Sequence, residues 1–293
     1  MAIPIKKAVI TAGGWGTRFL PVTKAIPKEM LPIVDKPVIQ YVVEEVVASG
    51  IQNIIIITGE KKRAIEDHFD SSFELENHLE KQGKKKEKEE IKKIAQLANF
   101  IYIRQKGGYG NAIPVLSAKA IIEKEPFVVL WGDEFILSHP PRLVQMLEAY
   151  EQLGEGIIIS AIRIKKKEAL SRYGIAEIER LKGNIFRIKR IVEKPSPSES
   201  PSNLAAHGAY ILTPEIFEVI QNLKPGKGGE IWLTDAINTL IQKGFPVYAC
   251  EIKNGKYYDA GNKLEYLKTV IEISLQHPEF APELRKFIKE LKF

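Results

Sequence analysis

The chain has 293 residues, 44% of them hydrophobic, with a net charge of +6 and a sequence pI of about 9.1. This is enough to bury a substantial core in one large α/β domain or two modest ones, and it excludes a disordered or fibrous chain. The apolar runs are too short to cross a bilayer, the N-terminus MAIPIKKAVI lacks a signal-peptide core, and a single cysteine, Cys250, rules out an internal disulfide, so the expected compartment is the cytoplasm.

In chain order, KKAVIT reads as a strand that runs into a glycine-rich loop. VIQYVVEEVVAS has helical periodicity and stops at Gly50, a suitable C′ glycine. NIIIIT is apolar throughout, as a strand buried on both faces must be. EKKRAIEDHF reads as a helix, and residues 81–93, which mix both signs of charge, as an exposed helix or loop. NFIYIRQ and PFVVLWGD are the next strands, with a helix near 112–122 between them. This alternation predicts an α/β fold with a mostly parallel sheet and helices on both faces.

The second half has shorter strands, including GIIISAIRI, HGAYIL and PVYACEI. IERLKGNIFRI predicts a β-hairpin turning at Lys182–Asn184, and KPSPSESPSN, residues 194–203, a loop. From Asn262 the segments NKLEYLKTVIEISLQ and PELRKFIKEL are amphipathic helices. The expected division is a body of residues 1–261 and a helical extension of residues 262–293 that packs on the core or on another subunit.

The stretch Thr11–Pro37 carries the chemistry. Gly13, Gly14 and Gly16 follow the first strand, where backbone N–H groups can meet an anion. The spacing is neither a Walker A loop nor a dinucleotide fingerprint, because Phe19 stands where the last glycine of the fingerprint belongs. Pro21, Pro27 and Pro32 then block a continuous helix. The reading is an extended, semi-rigid strap that presents Arg18, Lys24 and Lys28, suited to a polyphosphate because little entropy is lost on binding.

These residues resemble a known family. AGGWGTRFLPVTKAIPKEMLPIVDKPVIQYVVEE is similar to the start of the bacterial-type UTP–glucose-1-phosphate uridylyltransferases, which are sugar-1-phosphate nucleotidyltransferases. The resemblance continues in order through SSFELE (71–76), GYGNA (108–112), VEKP (192–195), SNLAAHGAYIL (202–212), GEIWLTDAI (229–237) and YDAGNKLEYL (258–267). It implies a Rossmann-like three-layer nucleotidyltransferase fold with a mixed, mostly parallel central sheet, magnesium dependence, and nucleotide transfer from UTP to glucose 1-phosphate with release of pyrophosphate, in a homo-oligomer. Trp15 stands where the family usually has Leu, Asn111 where it has His, and the loop after Gln105 is shortened.

The resemblance assigns Arg18 and Lys28 to the triphosphate, and the strap argument supports both. Ala12, Gly13, Gly14, Gly16, Gln105 and Gly110 form the nucleotide site, where the Gln105 amide suits a pyrimidine edge as donor and acceptor. Glu29 belongs near the nucleoside or sugar, or else is an exposed strap residue. Gly174, Glu193 and Lys194 go to the sugar phosphate. Asp133 and Asp259 go to magnesium, unless Asp259 only caps a helix. Displacement at a phosphorus needs no protein nucleophile, and the chain has no GxSxG elbow or zinc spacing. A thymidylyl- or cytidylyltransferase and a non-catalytic nucleotide-sugar sensor remain alternatives. The charge lacks the interleaved aromatics of a nucleic-acid binder, and neither nucleic acid nor membrane is an expected partner.

Overall fold

The computed structural model describes residues 3–291. β1 (Lys7–Thr11) leads into three single 3-10 turns, Thr17–Phe19, Val22–Lys24 and Lys28–Met30. Next come β2 (Pro32–Ile33), β3 (Lys36–Pro37), α1 (Val38–Ala48), β4 (Asn53–Thr58) and α2 (Arg63–Phe69). α3 (Phe73–Lys81) and α4 (Lys85–Ala95) form a charged helical hairpin before β5 (Asn99–Arg104). α5 (Ala112–Ser117), α6 (Lys119–Ile122), β6 (Phe127–Trp131), β7 (Glu134–Ser138), α7 (Arg142–Leu153) and β8 (Ile157–Arg163) follow. The remainder is β9 (Gly174–Lys182), β10 (Ile185–Glu193), β11 (Leu204–Leu212), α8 (Glu215–Asn222), α9 (Leu233–Gln242), β12 (Val247–Glu251), β13 (Gly255–Asp259), α10 (Lys263–Ser274) and α11 (Ala281–Glu290).

Nine strands form one sheet in the order β5-β4-β1-β6-β11-β8-β12-β10-β9. The mostly parallel expectation describes its first half, where β5, β4, β1 and β6 run parallel. Antiparallel pairing enters with β11, which lies against both β6 and β8, and makes the whole sheet mixed. β4 explains the three layers. Ile54 and Ile56 enter one hydrophobic cluster with α1 and α7, while Ile55 and Ile57 enter the other with α5, α8 and α9. Strand alternation sends neighbouring isoleucines to opposite faces, so an all-isoleucine strand needs helices on both.

Gly50, with φ +85°, ends α1 as its spacing predicts. The hairpin of β9 and β10 turns at 183–184, and residues 194–203 lie outside regular structure. The helix near 112–122 is broken at Ala118 into α5 and α6. Residues 85–95 take the helical option, with no residue of α4 buried. The strap differs from expectation: its prolines separate one-turn helices and do not extend the chain. The first and third turns end at an extended residue, Leu20 or Leu31, directly before a proline, and the second ends at Ala25, two residues before Pro27. α10 holds the strap in place, since Tyr266 packs edge-on against Phe19 at 5.5 Å and its hydroxyl donates to the Pro32 carbonyl at 2.7 Å. Buried Arg142 is clamped by Glu45, with its Nε donating at 2.9 Å and its Nη2 at 2.7 Å, which anchors the start of α7 to α1.

Candidate active site

A cleft of about 760 Å³ opens at the C-terminal ends of the parallel strands. β1 lies between β4 on one side and β6 on the other, so connections from its end diverge and leave a crevice there. Gly13, Gly14, Lys28, Glu29, Gln105 and Asp133 line it, as does Gly110. Ala12 lies buried just beneath, its N–H donating to the Ile57 carbonyl at 2.8 Å.

Two glycines are required for reasons of space. A Cβ on Gly13 would lie 2.5 Å from Gln105 Oε1, so the bare backbone lets the amide close over the loop. Gly110 has φ +117°, and a Cβ there would lie 2.2 Å from the Ile231 carbonyl oxygen. Packing against residue 231 therefore demands glycine at 110 independently of any base contact. Asn111 joins the same tie, its Oδ1 accepting from the Leu233 N–H at 2.7 Å. The Asn that departs from the family pattern thus pins the start of α9.

Lys28 Nζ pairs with Asp133 Oδ2 at 2.5 Å. Burial alone would lower the Lys28 pKa, but Asp133 and Glu29 beside it hold it above its ordinary value. Burial would likewise raise Asp133, and the Lys28 ammonium holds it below the usual carboxylate range. Glu29 is wholly buried and accepts from Lys62 Nζ at 2.7 Å, so the exposed-strap alternative for Glu29 is ruled out. Burial raises the Glu29 pKa and lowers that of Lys62.

Asp133 and Asp259 meet Arg18 around Gly261. A Cβ there would lie 3.0 Å from Asp133 Oδ2, 3.1 Å from Asp259 Oδ1 and 3.4 Å from Arg18 Nη1. Arg18 Nη1 also donates to the Gly261 carbonyl at 3.0 Å. The pairing of β13 with β7 sets Asp259 opposite Glu134 and brings together two carboxylates far apart in sequence. Asp259 Oδ1 accepts from the Gly261 N–H at 2.8 Å, whereas Asn262 caps α10 by accepting from Leu264 and Glu265. The capping alternative for Asp259 therefore fails. Burial raises the Asp259 pKa, and Asp133 beside it adds to that. Among the described residues no group of three or more His, Cys, Asp or Glu forms a metal cage. A two-carboxylate cradle kept open by glycine fits magnesium, which takes one or two carboxylates and fills its shell with phosphate and water.

The remaining residues form a second group beyond the cleft lining. β10 ends at Glu193, and Lys194 has φ +49°, so the pair escapes the strict alternation of a strand. Lys194 Nζ lies 3.8 Å from Glu193 Oε1 and 5.2 Å from the centre of the Trp232 ring, which lines the cleft. A Cβ on Gly174 would lie 3.1 Å from Glu193 Oε2. Gly16, with φ +67°, turns the strap, its carbonyl accepting from Thr23 Oγ1 at 2.7 Å. Lys62, Trp131 and Trp232 also line the cleft but do not stand out in the sequence. The only trace of Lys62 there is a lysine pair soon after a strand end.

A nucleotide-sized cleft on an open α/β sheet, floored by paired cations and carboxylates, defines a phosphoryl-group-transfer site. The chain belongs to the nucleotidyl transferase family, which matches residues 7–274. Within it, the chain is 48% identical to the UTP–glucose-1-phosphate uridylyltransferase of Staphylococcus haemolyticus (strain JCSC1435), over 99% of both chains. It is 41% identical to a UDP-glucose pyrophosphorylase solved with UDP-glucose (TM-score 0.84, covering 94% of this chain and 100% of that one). It is 36% identical to a UTP-bound UGPase from Acinetobacter baumannii (TM-score 0.87, covering 99% and 100%).

Proposed function

We propose that this chain transfers UMP from UTP to glucose 1-phosphate, giving UDP-glucose and pyrophosphate. The observation that carries the reading is near-full-length likeness to enzymes of that name, combined with a cleft whose charged floor suits a triphosphate. A phosphate oxygen of glucose 1-phosphate attacks the α-phosphorus of UTP in line. The new oxygen–phosphorus bond forms as the bond from the α-phosphorus to the bridging oxygen breaks, and pyrophosphate leaves with that electron pair.

Gln105 and the backbone at Gly13 take the base edge, with Gly110 nearby. Gly14, Gly16, Arg18 and Lys28 take the phosphates. Gly174 and Glu193 take sugar hydroxyls, and Lys194 takes the sugar phosphate. Catalysis is then positioning and charge neutralisation. Asp133 and Asp259 are the residues to hold magnesium, which supplies neutralisation of the charge growing on the reacting phosphates. A cytoplasmic homo-oligomer completes the reading. Among the described residues no helix is long and apolar enough to cross a membrane.

The test is pyrophosphate release from UTP, dTTP, CTP, ATP and GTP with glucose 1-phosphate and magnesium. UTP should dominate. A preference for dTTP or CTP would give the thymidylyl- or cytidylyltransferase alternative, and no turnover with any nucleotide would leave the sensor.

A further inference from the structure

We propose that Lys62 is a positioning residue for this transfer: by neutralising Glu29, it leaves the Lys28 ammonium free to move from Asp133 to a substrate phosphate. The inference rests on the proposed function and adds a residue to it. Four charged side chains of alternating sign lie along the cleft floor: Lys62, Glu29, Lys28 and Asp133. The outer contacts are direct, Lys62 to Glu29 at 2.7 Å and Lys28 to Asp133 at 2.5 Å. The inner pair, Glu29 and Lys28, interact through their charges.

Glu29 is the unusual member. It is 0% exposed, and its Oε1 has no hydrogen-bond partner among the described residues. A buried carboxylate with a free acceptor draws on whatever cation is near. The cations that act on it most strongly are Lys28 and Lys62. Without Lys62, Lys28 would have to serve Glu29 as well as Asp133, which otherwise has only the more distant Arg18 acting on it besides Lys28, and would be held between the two carboxylates and away from an incoming phosphate. With Lys62 in place, Glu29 is already matched.

The backbone fixes Lys62 for this task. β4 ends at Thr58, and the chain crosses Gly59, where a Cβ would lie 2.9 Å from the Gly13 carbonyl oxygen. Lys61 turns with φ +62°, and the Lys62 carbonyl accepts from the Ile65 N–H at 3.0 Å to open α2. Lys62 thus sits on the rigid edge where strand passes to helix, with a side chain only 5% exposed.

The experiment is a double-mutant cycle on the full chain: the parent, Lys62→Met, Glu29→Gln and the double variant. Each is assayed for kcat and for KM toward both substrates at saturating magnesium, with thermal midpoints measured alongside. Lys62→Met should lower kcat about tenfold while the KM for glucose 1-phosphate stays within about twofold. With Glu29→Gln already present, the same substitution should cost less than about twofold, because no carboxylate then competes for Lys28. A folded Lys62→Met that keeps its kcat would make the pair purely structural and overturn the proposal. Equal losses in both backgrounds would mean that Lys62 acts on substrate directly, which also overturns it. Should Lys62→Met not fold, the two Glu29→Gln proteins decide by the same twofold criterion, about twofold or less supporting the proposal and a larger loss overturning it. A parent that forms no UDP-glucose would fail the proposed function itself, whereas an active parent with an indifferent cycle fails only the role of Lys62.

Discussion

Lys28 Nζ lies 2.5 Å from Asp133 Oδ2, joining the last turn of the strap to the carboxylate just beyond β6. The residue read as a phosphate ligand and a residue read as a metal ligand neutralise each other in the free protein. A partly buried cation and anion therefore wait at the cleft floor in a paired state, and on the proposed function substrate and metal would each take over a counter-charge.

Lys28→Met should remove a charge-assisted phosphate contact worth about 1.5–3 kcal/mol. That is roughly a ten- to hundredfold loss in kcat/KM for UTP. The substitution also strips Asp133 of the cation that holds its pKa down, leaving burial to push it up. Ionised Asp133 would then require a higher pH, so the acid limb of the rate profile should move upward. A profile of kcat/KM against pH for parent and variant checks this, and an unmoved acid limb would disconnect Lys28 from Asp133 in function.

Asp133→Asn and Asp259→Asn should each abolish most magnesium-dependent turnover, by about a hundredfold or more. Folding should change little at 259, because the amide oxygen of Asn can still accept from the Gly261 N–H. The two variants are compared by magnesium titration of the rate and by thermal melting. Near-normal rate and magnesium dependence at position 259 would assign that carboxylate to the loop alone.

Lys194→Ala should raise the KM for glucose 1-phosphate by roughly ten- to hundredfold, the loss of one charge-assisted contact, and leave UTP binding close to normal. Lys194 overlies the Trp232 ring and comes from the end of β10, not from the strap that carries Arg18 and Lys28, so the two substrates should respond separately. Two-substrate kinetics with calorimetric UTP binding tests it. Equal damage to both would contradict the assignment.

His207 is 2% exposed, between the rings of Tyr173 at 4.4 Å and Tyr257 at 4.1 Å. Burial, with Arg142 nearby, pushes its pKa down to about 3. The unfolded chain therefore binds a proton that the native chain refuses between about pH 6.5 and pH 3. This contribution to stability is fully present above the unfolded value and is lost as pH falls. Glu134, pushed up to about 7 by burial, slopes the opposite way above about pH 4.5 and flattens the parent's own curve. The difference between the parent and His207→Phe isolates the histidine. It should shift against the parent by about 1.4 kcal/mol per pH unit below about pH 6.5. Chemical denaturation across that range measures it, and a constant difference would mean that His207 is not held neutral.

The resemblance of the strap, VEKP and YDAGN to known motifs marked in the sequence the residues proposed to bind phosphate and magnesium. The isoleucines of β4 marked a strand with helices on both faces, because burial on two sides demands apolar residues at every position. Local chemistry also identified Gly50 as a helix terminator and the β9–β10 turn, since both depend only on neighbouring residues.

Other features depended on distant contacts. The three 3-10 turns could not be told from an extended strap, because proline forbids a long helix equally in both. Glu29 could be read in the sequence either as a site residue or as exposed surface, and it is the most buried charge of the site, because its counter-ion Lys62 comes from a different strand end. The role of Asp259 turned on whether it or Asn262 caps α10, which only backbone geometry decides. The sequence by itself determined the family, the layer order and the charged and glycine residues that line the cleft, because these follow from local pattern. The tertiary structure decided which charges neutralise which, because pairing energy depends on distance and on exclusion of water, and neither is written along the chain.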